Sequence, residues 1–175
     1  IRRQRQMCIR DRIDVRFNAG GDYEGAIEVL DDIMPVSTIC TRREKNGEQV
    51  YTSDADSVNL PIIVVINSHT NGSAELFAAA LRESGLAKTV GNQTAGNALA
   101  QTDIVLTNNT AVHLSVYEYI PPSGETYNGK GVVADVEVSL DSGEEDNFDD
   151  LQFENDDQLS AAIKYMKEIL GIISV

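Results

Sequence analysis

The run PIIVVI, from Pro61 to Ile66, is the longest strongly apolar stretch in the chain, and within a few residues it leads into the alanine-rich SAELFAAALRESG. A run this short reads as a buried strand, because spanning a bilayer as a helix takes about 20 apolar residues. The segment after it has the small-residue interior of a helix that packs closely on its neighbours, with Gly85 as its stop. Between the two lies the small-residue turn NSHTNG. A strand that enters a helix through such a turn is the unit of an α/β fold, and in several hydrolases that turn carries the nucleophile. Ser68, Thr70 and Ser73 are the hydroxyl-bearing candidates here.

The rest of the chain repeats the alternation. IDVRF, residues 13 to 17, alternates and is β-branched, and NAGG makes a tight turn after it. DYEGAIEVLDDIM then places Tyr23, Ala26, Ile27, Leu30 and Met34 on one helical face, with Asp22 as cap and Pro35 ending the helix. VSTICTRR and EQVYT form a hairpin about Asn46 and Gly47, and DIVLT and AVHLSVYEYI a second about Asn108 and Asn109. KTVG and VADVEV are further strands, while NQTAGNALAQ and PPSGETYNGKG read as loops. An acidic stretch without periodicity, residues 141 to 156, reads as a solvated linker. The amphipathic helix 157 to 171 follows, with Leu159, Ala162, Ile163, Met166 and Leu170 on one face.

Charge narrows the functions. The net charge is −14, and the opening IRRQRQMCIRDR holds five of the 14 basic residues. That segment has no apolar period and reads as an adaptor or cloning artefact, or else as a basic disordered arm. Without residues 1 to 12 the balance is 9 basic against 27 acidic residues, which argues against nucleic acid and anionic membrane surfaces. Outside that segment Cys40 is the lone cysteine, and His69 and His113 are too far apart for a zinc motif, so neither a metal nor a cofactor is expected.

Four segments in fixed order, IDVRFNAGG, PIIVVINSHTNGSAELFAAALRESGLAKTVGNQTAGNALAQ, YEYIPPSGETYNGKGVVADVEV and DDQLSAAIKYMKEIL, carry a resemblance that covers nearly all of residues 13 to 170. Together they resemble the core of the C-terminal processing peptidases, or tail-specific proteases. These are serine peptidases with a ClpP/crotonase-like α/β core of strands alternating with helices. The family's middle segment reads like S-A-S-A-S-E, an apolar helix, then V-G-E-x-T-x-G-K-G-x-x-Q. Its nucleophile is the serine three residues before the glutamate, and its base is the lysine of G-K-G. Laid on Glu75 without a gap, the nucleophile position is Gly72 and the base position is Asn97. Gln101 matches the glutamine that orients the lysine, and Gly20 and Gly21 resemble the pair whose amides help build the oxyanion hole.

Those two departures bear directly on chemistry. Glycine has no side chain to attack with, and asparagine is no base at ordinary pH. Losing either partner typically costs about 10⁴ to 10⁶ in turnover. The resemblance therefore implies a degenerate peptidase that keeps a groove for an extended polypeptide or C-terminal tail, bound by β-augmentation. Two alternatives stand beside it. One is an active centre rebuilt on Ser73 with His69 or a lysine from outside this sequence as base, since Lys88 matches a family position outside the active site and Lys130 lies in the NGKG loop; a small polar residue at that point more often caps the helix. The other is a crotonase-like acyl-thioester enzyme. By local pattern alone, Glu75 is a first-turn helix residue favoured by the dipole, His113 a structural strand residue, and Asp22 and Asp32 parts of a solvated face. The resemblance also implies a place outside the cytoplasm, in the cell envelope or secreted. It implies an N-terminal helical region and a PDZ domain ahead of the core, and the absence here of the core's first strands, which leaves a raw sheet edge.

Overall fold

The computed structural model describes residues 11–54, 61–108, 110–140 and 148–171. Its centre is the apolar run, which forms the strand Ile62–Ile66 with all five residues buried. In chain order the elements are β1 (Asp11–Asp14), α1 (Tyr23–Ile33), β2 (Thr38–Glu44), β3 (Gly47–Thr52), β4 (Ile62–Ile66), α2 (Ser73–Glu83), β5 (Ala87–Gly91), β6 (Leu99–Val105), β7 (Ala111–Ile120), β8 (Val136–Glu137) and α3 (Asp157–Ile169). Two sheets result. One is parallel, in the order β1-β4-β5-β8, and the other is antiparallel, in the order β3-β2-β7-β6.

The period of two in β4 explains why the parallel sheet is covered on both faces. Ile62, Val64 and Ile66 join one core with Leu30 of α1 and Leu76 and Ala80 of α2, while Ile63 and Val65 join another with Ala162 and Met166 of α3. Helix α2 is buried from Ser73 to Leu81, as its alanine-rich sequence requires of a helix wedged between sheet and neighbours. The antiparallel sheet meets the larger core through Ile39, Cys40 and Tyr119. α1 starts where expected, with Asp22 accepting from Glu24 N–H at 3.1 Å, and Ile27, Leu30 and Met34 of the expected face are buried.

Several boundaries differ from the sequence reading. Asp11 and Arg12, grouped there with the artefact segment, pair with Ile62 and Ile63 in β1, so the parallel ladder runs past Ile13; residues 1–10 lie outside the described residues. The first hairpin turns at Lys45 and Asn46, because Gly47 already pairs with Glu44. β6 begins at Leu99, so the end of the presumed loop up to Gln101 is strand held by β7. Of the acidic stretch, residues 141–147 lie outside the described residues, and the rest holds two short 3-10 turns, Phe148–Asp150 and Phe153–Asn155. That stretch also does more than shed charge to solvent. Asp156 caps α3 by accepting from Leu159 N–H at 2.8 Å and pairs with Arg16 at 2.7 Å, both side chains being almost fully buried. Arg16 also bonds Asp14 and Gln158 and lies over the Phe148 ring, so α3 is fastened to the chain just after β1.

Candidate active-site cleft

The turn between β4 and α2 sorts the three hydroxyls. Ser68 is exposed beside His69 Nδ1 at 3.3 Å. Thr70 is a buried brace, donating to Val15 O at 2.9 Å and accepting from Asn67 N–H at 3.0 Å. Ser73 lies inside the first turn of α2 and is not its cap, because Gly72 holds the N-cap position. The Ser73 hydroxyl crosses to the preceding loop and accepts from Gly21 N–H at 2.9 Å.

Gly72 has φ 61° and ψ −124°, a conformation that a side-chain-bearing residue adopts only under strain. The space beside it is nevertheless ordinary, since a Cβ there would meet Ala19 O at 3.6 Å and Tyr23 Oη at 3.7 Å. Gly20, at φ 79°, is different: a Cβ would fall 2.6 Å from Asn71 O, so only glycine lets the two loops approach. The Gly20 amide donates to Asn18 Oδ1 at 2.9 Å, so both loop amides are satisfied within the protein.

Position 97 faces the same space. A cleft of about 280 Å³ is lined by residues 19–21, Tyr23, Gly72, Ser73, Asn97 and the stretch from Leu99 to Gln101. The sequence-matched positions 20, 21, 72, 73, 97 and 101 thus converge. Asn97 Oδ1 accepts from Leu99 N–H at 3.2 Å, a local turn that uses its side chain on its own backbone. Gln101, on β6, has an exposed side chain whose Oε1 stands 2.7 Å from His113 Nε2, while His113 Nδ1 stands 2.6 Å from Asp103. Gln101 therefore shares the cleft but has its bonds along the hairpin.

The substitute bases are not brought to Ser73. His69 stacks on Phe17 at 4.8 Å, and among the described residues no hydrogen bond joins it to Ser73. Lys88 is exposed on β5, and Lys130 lines a different cavity beside Arg82 and Tyr127.

Two features escape a motif reading. The first is Glu75, fully buried, whose carboxylate gathers both halves of the site. It accepts from Gly72 N–H at 3.1 Å, Gly96 N–H at 2.7 Å, Asn97 N–H at 2.8 Å and the Thr94 hydroxyl. The bond to Gly72 is half of a capping box, which its place three residues past the cap could have signalled. The bonds to residues 94–97 have no local signature, since they span about twenty residues of chain. The second is a group of tyrosines. Tyr23 stacks on Tyr119 with ring centroids 4.1 Å apart, and its hydroxyl donates to Asn97 O at 3.3 Å. Burial pushes the Tyr23 phenol up to about 12, partly offset by a hydrogen bond with Tyr127, and burial likewise raises Tyr127.

Known proteins resemble the chain in sequence and fold. The peptidase family S41 model matches residues 13–138. A carboxy-terminal-processing protease of Bartonella bacilliformis is 34% identical over 130 residues, 72% of this chain and 30% of that protein. The CtpA carboxy-terminal processing protease of Bacillus subtilis is 30% identical over 131 residues, 73% and 28% of the two chains. Among solved structures, the photosystem II D1 C-terminal processing protease matches with a TM-score of 0.68 at 27% identity, covering 73% of this chain and 34% of that one. The tricorn protease, at 20% identity and a TM-score of 0.56, shares the fold. The chain spans about a third or less of the length of the processing proteases it matches. The α/β core and these matches agree, and the chain belongs to peptidase family S41.

Proposed function

We propose that this domain is a polypeptide-binding member of family S41 that holds an extended chain without cleaving it. The supporting observation is that Gly72 and Asn97 face one cleft and that neither offers an attacking oxygen or a proton acceptor. Ser73 is the serine that lines the cleft, and among the described residues it accepts from Gly21 N–H with no base bonded to it. The scaffold around the missing pair is retained, since Glu75 still ties the two positions together. The occupant is an extended polypeptide or protein C-terminal tail, met outside the cytoplasm, as the names of the processing proteases suggest for the tail.

A fluorophosphonate probe, which marks activated serines, is expected to leave the protein unlabelled, and fluorescein-labelled casein is expected to stay intact. Labelling or cleavage that Ser73→Ala abolishes would replace this reading with an active centre built on Ser73. Restoring the pair as Gly72→Ser with Asn97→Lys is expected to bring back labelling, because the Gly72 site has room for a Cβ, although φ 61° makes the serine cost some stability.

A further inference from the structure

The cleft lacks a catalytic hydroxyl at position 72 but does not lack a hydroxyl. Tyr23, the first residue of α1, sends its phenol between the two degenerate positions, 3.3 Å from Asn97 O and 3.7 Å from where a Cβ on Gly72 would sit. The ring is fixed from behind. It lies parallel to Tyr119 within 4°, and Tyr119 is 3% exposed and bonded to Glu24. The Asp22 cap sets the backbone on which it rides. A ligand arriving over Gly72 finds the Gly20 and Gly21 amides already spent on Asn18 and Ser73. The Ser73 side chain sits in a residue only 6% exposed, whereas Tyr23 is half-buried and lines the cleft. The bond from Tyr23 to Asn97 O is long beside the usual O–H···O distance of about 2.7–2.8 Å, so exchanging that acceptor for another costs little.

We propose that Tyr23 is the hydroxyl by which this cleft grips its ligand, donating to a backbone carbonyl of an extended polypeptide laid over Gly72. This rests on the reading of the domain as a polypeptide binder and adds the residue that makes the contact. A phenol held this way suits a peptide carbonyl, because its ring gives up little rotamer freedom and its proton stays in place at neutral pH.

The test is fluorescence polarisation with a labelled, uncharged, unstructured peptide of Ala, Ser and Val residues, titrated with the protein and with Tyr23→Phe. The net worth of one hydrogen bond corresponds to about three- to tenfold weaker binding by Tyr23→Phe. Its thermal midpoint should match the parent's, and Tyr51→Phe, whose hydroxyl bonds Glu24 outside the cleft, should bind like the parent. A fluorotyrosine at position 23, a stronger donor of nearly the same shape, is expected to bind more tightly, and this separates the hydroxyl from any packing effect. If the parent binds and both variants at position 23 bind equally well, the proposal fails and the binding reading survives. If the parent does not bind at all, both fail.

Discussion

Replacing Glu75 by glutamine changes one atom's chemistry at nearly constant volume, and the structure indicates what that does. The carboxylate oxygens accept four donors in pairs, Thr94 and Gly96 at one oxygen, Gly72 and Asn97 at the other. A carboxamide has one oxygen, so its NH₂ group must confront two of those donors in a site with no solvent exposure. Each buried donor left unmet costs about 1–3 kcal/mol, which places Glu75→Gln at about 2–4 kcal/mol after partial relaxation. Typical domains have only about 5–15 kcal/mol of stability, so this is a large fraction. Urea unfolding followed by circular dichroism should show a lower midpoint with an unchanged slope. Amide hydrogen exchange should accelerate first at Gly72, Gly96 and Asn97. Glu28→Gln, the same change at an exposed site on α1, supplies the comparison and should lie within about 0.5 kcal/mol of the parent. The reasoning is refuted if Glu75→Gln matches Glu28→Gln and those three amides keep their protection.

Other perturbations reach different parts of the scaffold. Asp156→Ala removes one of the two carboxylate partners of a nearly fully buried Arg16, the buried one, together with the cap of α3. It should cost about 3–5 kcal/mol and expose the C-terminal helix to limited proteolysis, and a loss under about 1 kcal/mol would contradict the staple. Gly20→Ala should destabilise more than Gly72→Ala, by chemical denaturation, because both carry strain at positive φ but only the former drives a Cβ to 2.6 Å from Asn71 O. Tyr23 has its folded value raised from 10.0 to about 12, so its contribution to stability is complete below pH 10 and is lost as pH rises through 12. Tyrosinate absorbance and loss of helix signal should therefore rise together in that window. Burial also raises the Cys40 thiol to about 12, and it should react with a thiol reagent only when the protein unfolds.

How much of this was legible in sequence depended on the range of the cause. β4 and α2 were readable because apolar period and alanine content are local, and the α1 cap at Asp22 was readable from its residue type. β6 was not readable at its start, because NALAQ has the small-residue composition of a loop and becomes strand only through its ladder with β7. Asp156, like Asp157, is readable as a cap of the C-terminal helix from its residue type and place, but nothing local distinguishes it as the partner of an arginine 140 residues earlier. Positions 72 and 97 come from counting from Glu75, and both line one cleft. The count could not show what holds them there.

What holds them is separable from the chemistry of a serine–lysine pair, so the proposed reading of a cleft without that pair is compatible with the scaffold around it. A serine–lysine pair acts through two side chains, whereas the turn at Gly72 and the loop through Asn97 are positioned through backbone amides bonded to Glu75. Substitution at 72 or 97 leaves those amides untouched. The space near Gly72 is bounded by Ala19, Gly20 and Tyr23, none of which depends on a side chain at 72 for its place. Under the proposed reading, the absence of nucleophile and base costs the fold little, and the cleft keeps hydroxyls such as that of Tyr23 in its lining. The fold therefore relies on Glu75 and on the glycine at position 20, and not on a serine at 72 or a lysine at 97. A chain that keeps the first two and lacks the pair is what the proposed reading as a binder without cleavage requires.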